Sequence, residues 1–140
     1  RLVDKVTEAI GLLSGKKIGV LGLSFKPGTD DVRDSPSMKV IERLRDAGAV
    51  LRLHDPQAID NTQEHFPESP GNLEYCQSPY DAAQGSEALL LLTAWPEYRE
   101  MDLTRLCELL LNPIIVDGRN MFNPVAMRDK GFNYISVGRP

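Results

Sequence analysis

A doubly wound α/β domain, a mostly parallel sheet with helices on both faces, is the fold class this sequence predicts. Three observations carry it. Short apolar runs at residues 17–21, 49–53, 88–93 and 114–116 alternate with segments of helical length and helical apolar spacing. The runs KIGVL and ALLLLT show no polar alternation, as expected of strands buried on both faces. Each run also ends in a turn rich in Gly, Pro or Asp, where strand–helix–strand units change direction.

Residues 2–13 place Leu2, Val6, Ala9, Ile10 and Leu13 at helical spacing, with Gly15 expected to close the helix. Residues 17–21 form the first strand. After a long polar loop, Ser35 stands as an N-cap and Pro36 as the first helical residue, followed by Met38, Val40, Ile41 and Leu44 on one face. Ala47-Gly48 ends that helix, and residues 49–53 form a strand stopping at His54-Asp55-Pro56. Residues 61–79, rich in Pro, Glu, Ser and Gly, are expected to be irregular connection, with a short helix before them. A helical turn over 81–84 leads to the strand at 88–93. Residues 102–111 read as a helix with Leu103, Leu106, Cys107 and Leu110 on one face, stopped by Pro113. The strand at 114–116 ends at Asp117-Gly118-Arg119, and a short helix over 124–130 precedes a last strand near 133–135. Strands joined by such helices give a Rossmann-like parallel sheet.

The composition bounds the function. With 140 residues, 41% hydrophobic and 26% charged, the chain has the make-up of one globular domain and not of a disordered segment. No apolar run approaches the roughly 20 residues needed to cross a bilayer, and no signal-like start is present, so neither a membrane nor a secretory route is expected. A net charge of −4 argues against a nucleic-acid partner, and two Cys make no disulfide framework; a cytoplasmic location is expected. The chain begins with Arg1 and not Met, which reads as a piece of a longer protein.

In parallel sheets of this kind ligands sit at the carboxyl ends of the strands. The loop after the first strand, residues 22–35, lacks the G-x-G-x-x-G that would lead straight into a helix, so a dinucleotide clamp is not expected there. It offers cations instead. Lys26 is a point charge and Arg33 a planar fork, both suited to phosphate oxygens. Arg33 carries two readings: it binds an anion, or it pairs with Asp30, Asp31 or Asp34 and fixes the loop. Arg119, in the turn after the fourth strand, is either a solvated turn residue or a second cation on the same sheet edge. Asp55 resembles an acid that reads a ribose, and a turn-forming role fits it equally. Trp95 reads as packing over a strand end. His54 and His65 lack metal-ligand spacing, Cys107 reads as core, and neither a metal site nor a Ser-His-Asp arrangement is indicated.

Taken together, G-L-S-F-K-P-G-T-D-D-V-R-D-S-P at 22–36, H-D-P at 54–56, T-A-W at 93–95, D-G-R-N at 117–120 and the terminal S-V-G-R-P resemble the C-terminal domain of the UDP-glucose/GDP-mannose dehydrogenase family. The resemblance covers residues 16–140, with 1–15 resembling the end of a helix connecting a preceding domain. It implies an NAD-dependent enzyme that oxidises C6 of a nucleotide sugar to a carboxylate, with UDP-glucose to UDP-glucuronate as the favoured reaction. GDP-mannose and UDP-N-acetylhexosamines are the alternatives within the family, and a stand-alone nucleotide-binding module or a purely structural domain the alternatives outside it. By that likeness Phe25, Lys26 and Arg119 contact the nucleotide sugar and Arg33 faces the NAD. The family's glycine-rich NAD motif and its catalytic Cys segment are absent from the chain. The resemblance therefore implies no catalytic residue here, NAD held mainly by a missing N-terminal domain, a missing central domain of the same chain, a homodimeric intact enzyme, and a fragment inactive by itself.

Overall fold

A computed structural model describes residues 1–137. Leu2–Ile10 (α1) leads to β1 (Lys17–Leu21), α2 (Pro36–Asp46), β2 (Val50–His54), α3 (Ile59–His65) and β3 (Leu73–Tyr75). The chain continues through α4 (Pro79–Ala83), β4 (Ala88–Leu91), α5 (Pro96–Arg99), α6 (Leu103–Leu109), β5 (Ile114–Asp117), α7 (Pro124–Asp129) and β6 (Asn133–Ser136). The six strands form one sheet in the order β3-β2-β1-β4-β5-β6, with every pairing parallel. The predicted doubly wound fold is what the chain adopts.

Strand pleating explains the two faces. Ile18 and Val20 of β1, Leu51 and Leu53 of β2 and Leu90 of β4 point to one side, where Val3 and Val6 of α1 and Ile41 and Leu44 of α2 cover them. Leu21, Leu89, Leu91 and Ile115 point to the other, under Ala82, Tyr98, Leu106 and Met127 of α4 to α7. Gly19 belongs to this second face. A Cβ there would stand 2.6 Å from the Ala82 carbonyl oxygen, so its bare backbone lets α4 lie against β1.

Helix starts follow the expected local chemistry. The Ser35 hydroxyl accepts from the Ser37 amide with Pro36 at the first position, and the Asp102 and Asn123 side chains cap α6 and α7 by accepting from the Arg105 and Ala126 amides. Several local expectations change, among them the strand read over 88–93, which ends at Leu91, and the helix read over 102–111, which ends at Leu109. The first helix ends at Ile10, because Gly11 at φ +79° turns the chain four residues before Gly15. Residues 61–79 are not wholly irregular. They contain most of α3 and the edge strand β3, whose Leu73 is buried and whose Glu74 and Tyr75 stay partly exposed. A further short helix, α5, follows Trp95. No helix among the described residues is long and apolar enough to cross a membrane.

Candidate functional site at the carboxyl edge of the sheet

Strand order reverses direction between β1 and β4, so their loops part at the centre of the carboxyl edge. Leaving β1, the chain makes a sharp turn at Gly22, whose φ is +103° and whose missing Cβ would fall 2.4 Å from the Thr93 amide nitrogen. Gly22, Leu23 and Ser24 are buried, while Phe25 and Lys26 emerge into solvent, Phe25 at 51% exposure. A small closed loop presents them. The Phe25 amide donates to the Asp31 carbonyl at 2.8 Å, and the Ser24 hydroxyl donates to the Lys26 carbonyl at 2.9 Å. Among the described residues the Lys26 ammonium forms no ion pair.

Two buried aspartates tie this edge together. The Asp55 carboxylate follows β2 and accepts five hydrogen bonds. Its Oδ2 takes Leu23 N at 2.7 Å, Ser24 N at 3.0 Å and Trp95 Nε1 at 3.1 Å, and its Oδ1 takes Gln57 N and Ala58 N, both at 2.9 Å. This occupancy decides between the two readings of Asp55: it builds a turn and holds two loops, and no acceptor remains for a ribose hydroxyl. Trp95 is buried as expected, and its indole N–H also reaches the Ser24 hydroxyl at 3.2 Å. Asp117 closes β5 and plays the same part. It accepts from the amides of Arg119, Met121 and Phe122 and from the Tyr134 hydroxyl of β6. The turn it shapes carries Asn120 at φ +54° and leaves the Arg119 side chain in solvent, with no ion pair among the described residues. Behind Gly22, the buried His54 ring meets the Tyr98 hydroxyl at 2.9 Å. Burial pushes the imidazole pKa down and the phenol pKa well up, so both stay neutral supports.

β1 and β5 flank β4, so the strand ends that carry the Lys26 and Arg119 loops stand about 10 Å apart at ordinary strand spacing. Two long cationic side chains and an exposed aromatic ring on one edge can receive an extended anion from two sides. Arg33 differs from them. Its guanidinium is 86% exposed and forked onto Asp31, with Nε–Oδ1 at 3.1 Å and Nη2–Oδ2 at 2.9 Å. The hydrogen bonds from Arg33 hold the Asp31 carboxyl down at about 2. The pairing reading of Arg33 is therefore the one the structure shows, with Asp31 as partner. Arg33 borders a separate hollow of about 450 Å³ with Asn61, Glu64 and His65.

Residues 19–124, which contain every loop just described, match the UDP-binding domain of the UDP-glucose/GDP-mannose dehydrogenase family. The chain belongs to that family. It corresponds to the family's C-terminal domain and is 41% identical over 139 residues to the UDP-glucose 6-dehydrogenase TuaD of Bacillus subtilis, covering 99% of this chain and 30% of that protein. The UDP-glucose 6-dehydrogenase of Rhizobium meliloti is 40% identical over 135 residues, covering 96% of this chain and 30% of that protein. A solved UDP-glucose dehydrogenase from the archaeon Pyrobaculum islandicum superposes with a TM-score of 0.78 at 31% identity, covering 96% of this chain and 28% of that one. The chain thus spans about 30% of the length of the curated relatives it matches.

Within this family member, the structure brings Phe25, Lys26 and Arg119 to one edge and sets Arg33 beside its own carboxylate. The terminal S-V-G-R-P string runs past the described residues, so Gly138, Arg139 and Pro140 lie outside them. Sequence reasoning missed the supporting role of Thr93, whose hydroxyl donates to the Ser24 carbonyl at 2.8 Å. Its signal was the T-A-W string, which carries no chemistry until the two loops meet.

Proposed function

We propose that this chain is the nucleotide-sugar-binding part of an NAD-dependent dehydrogenase that oxidises UDP-glucose to UDP-glucuronate. The observation that carries the reading is the placement of Lys26 and Arg119, neither in an ion pair among the described residues, on loops held by buried aspartates in a UDP-binding-domain family member. A diphosphate placed between them meets a compact ammonium on one side and a planar two-pronged donor on the other. The exposed Phe25 ring supplies an apolar face beside Lys26 for the nucleotide. Holding the diphosphate this way turns remote binding energy into placement of the sugar carbon that reacts.

NAD accepts the electrons in such a reaction, and the residues of this chain do not fit a dinucleotide at their own switch point. Thr93 closes the crevice onto Gly22 and Ser24, and Asp55 has spent its acceptors. The cofactor therefore belongs to another part of the intact protein, with residues 1–15 leading from it and Arg33 facing it. Arg33 can exchange its exposed bond to Asp31 for an anionic group. The intact enzyme is proposed to be a homodimer and to act in the cytoplasm.

Calorimetric titration of the chain with UDP tests the site. Lys26→Ala and Arg119→Ala are each expected to weaken binding roughly tenfold or more, as loss of a charged hydrogen bond requires. Arg33→Ala should leave UDP binding unchanged and, in the full-length enzyme, raise the KM for NAD. Wild-type affinity in both Lys26→Ala and Arg119→Ala would refute the assignment. So would NAD reduction by this chain alone in the presence of UDP-glucose.

A further inference from the structure

The backbone that carries Phe25 and Lys26 leaves the sheet after Leu21, and beyond one bond at Gly22 N the strand ladder does not hold the next three residues. They are nonetheless buried and fully bonded. Gly22 N donates to the His54 carbonyl, and the Gly22 and Leu23 carbonyls accept from the Ser37 and Ser35 hydroxyls, each at 2.9 Å. Leu23 N and Ser24 N donate to Asp55 Oδ2, and the Ser24 carbonyl accepts from Thr93 Oγ1. Side chains thus satisfy five of the six main-chain polar groups of residues 22–24. Those side chains come from the end of β2, the start of α2 and the end of β4.

We propose that Asp55 and Thr93 are positioning residues for the anion site: they clasp Ser24 from the β2 and β4 loops and thereby set where Phe25 and Lys26 emerge. The inference rests on reading Lys26 as a ligand contact. Neither clasp residue is exposed, with Asp55 at 3% and Thr93 at 2%, so neither can touch a ligand without the loop opening. Their bonds meet at the one residue whose own hydroxyl donates to the Lys26 carbonyl. Ser24 N, Ser24 O and Ser24 Oγ are all engaged, which removes the rotational freedom of the peptide that leads into Phe25 and Lys26. A rigid backbone here lowers the ordering cost of capturing an anion with a flexible lysine.

Thr93→Val tests the clasp. It exchanges a hydroxyl for a methyl group and leaves the buried Ser24 carbonyl without its donor. Asp55→Asn endangers folding because it sets an amide against two N–H donors, so Thr93→Val carries the experiment. In the ligand-free chain, hydrogen exchange at the amides of Leu23, Ser24 and Phe25 should rise roughly three- to tenfold, and UDP affinity should fall by about the same factor. Thr93→Ser, which keeps the hydroxyl, should restore both. In a Phe25→Ala/Lys26→Ala background, Thr93→Val should change UDP affinity less than about twofold, because both side chains it positions are gone. Thr93→Val with wild-type affinity, or with its full loss added on top of Phe25→Ala/Lys26→Ala, overturns the positioning role. If Lys26→Ala itself binds UDP as the wild type does, the binding reading falls and the clasp with it. If Lys26→Ala weakens binding and Thr93→Val does not, the clasp alone is refuted.

Discussion

Gly22→Ala asks whether the carboxyl edge is as tightly closed at its centre as the geometry says. Two costs add at this position. An L-residue at φ +103° carries strain of about 1–2 kcal/mol. The new Cβ would also stand 2.4 Å from Thr93 N, 2.6 Å from Thr93 Cβ and 2.7 Å from Thr93 Oγ1. Backbone and Cβ cannot step aside as a flexible side-chain tip can, so the β1 and β4 loops must part. Parting them breaks the Thr93–Ser24 hydrogen bond and leaves a buried acceptor unpaired, a further ~1–3 kcal/mol. The sum is ~2–5 kcal/mol, less the ~0.4–1 kcal/mol gained from a stiffer unfolded chain, for a net destabilisation of ~1–5 kcal/mol. Gly28→Ala is the internal control, with φ +84° and no atom within 4 Å of the new Cβ. Its strain of about 1–2 kcal/mol is partly offset by the ~0.4–1 kcal/mol gained from a stiffer unfolded chain, for a net cost of ~1 kcal/mol. Strain and unfolded-chain terms are shared, so at roughly 3 °C per kcal/mol for a chain of this size the two variants should differ in Tm by ~3–9 °C. Urea and thermal unfolding followed by circular dichroism would measure this, with fluorescence of the single tryptophan, Trp95, as a local reporter. Equal stability of the two variants, within about 1 kcal/mol, would refute the closed-crevice argument.

Two further outcomes follow from the same edge. Arg33 depresses the Asp31 carboxyl to about 2, so the pair's small contribution is complete above the ordinary carboxylate pKa of 3.8 and fades as pH falls through about 2. An NMR titration should show that midpoint, and Arg33→Ala should return it toward 3.8; an unmoved midpoint would show that another group sets it. Tyr134→Phe removes a hydroxyl donor from the buried Asp117 carboxylate and should cost ~1–2 kcal/mol in urea unfolding. The same change should weaken UDP binding by loosening the Arg119 turn, and unaltered affinity would separate Arg119 from Asp117 control.

How much was legible in advance depended on how far apart the interacting residues lie. β1 matched its predicted range, and α2 matched its predicted start at Ser35-Pro36, because periodicity and capping act within one turn or one pleat. The three-residue edge strand β3 did not register: with one buried side chain in LEY there is no period to read. Arg33 had as potential partners three aspartates within four residues, and only the folded loop selected Asp31. Asp55 and Thr93 were ambiguous for a deeper reason. Apart from Gln57 and Ala58, the partners of these two side chains stand 31 to 69 residues away, at Leu23, Ser24 and Trp95, and proximity there is created by the parallel order of β2, β1 and β4.

By itself, then, the sequence determined the alternation of strands and helices and the motif string that places the chain in its family, since local spacing and residue type encode both. Tertiary structure alone decided that Arg33 pairs with Asp31 and that the Asp55 and Asp117 carboxylates are consumed by amides. Lys26 and Arg119 face solvent because buried aspartates satisfy the amides beneath them. That accounting of donors and acceptors exists only once separate strand ends have been brought to one edge.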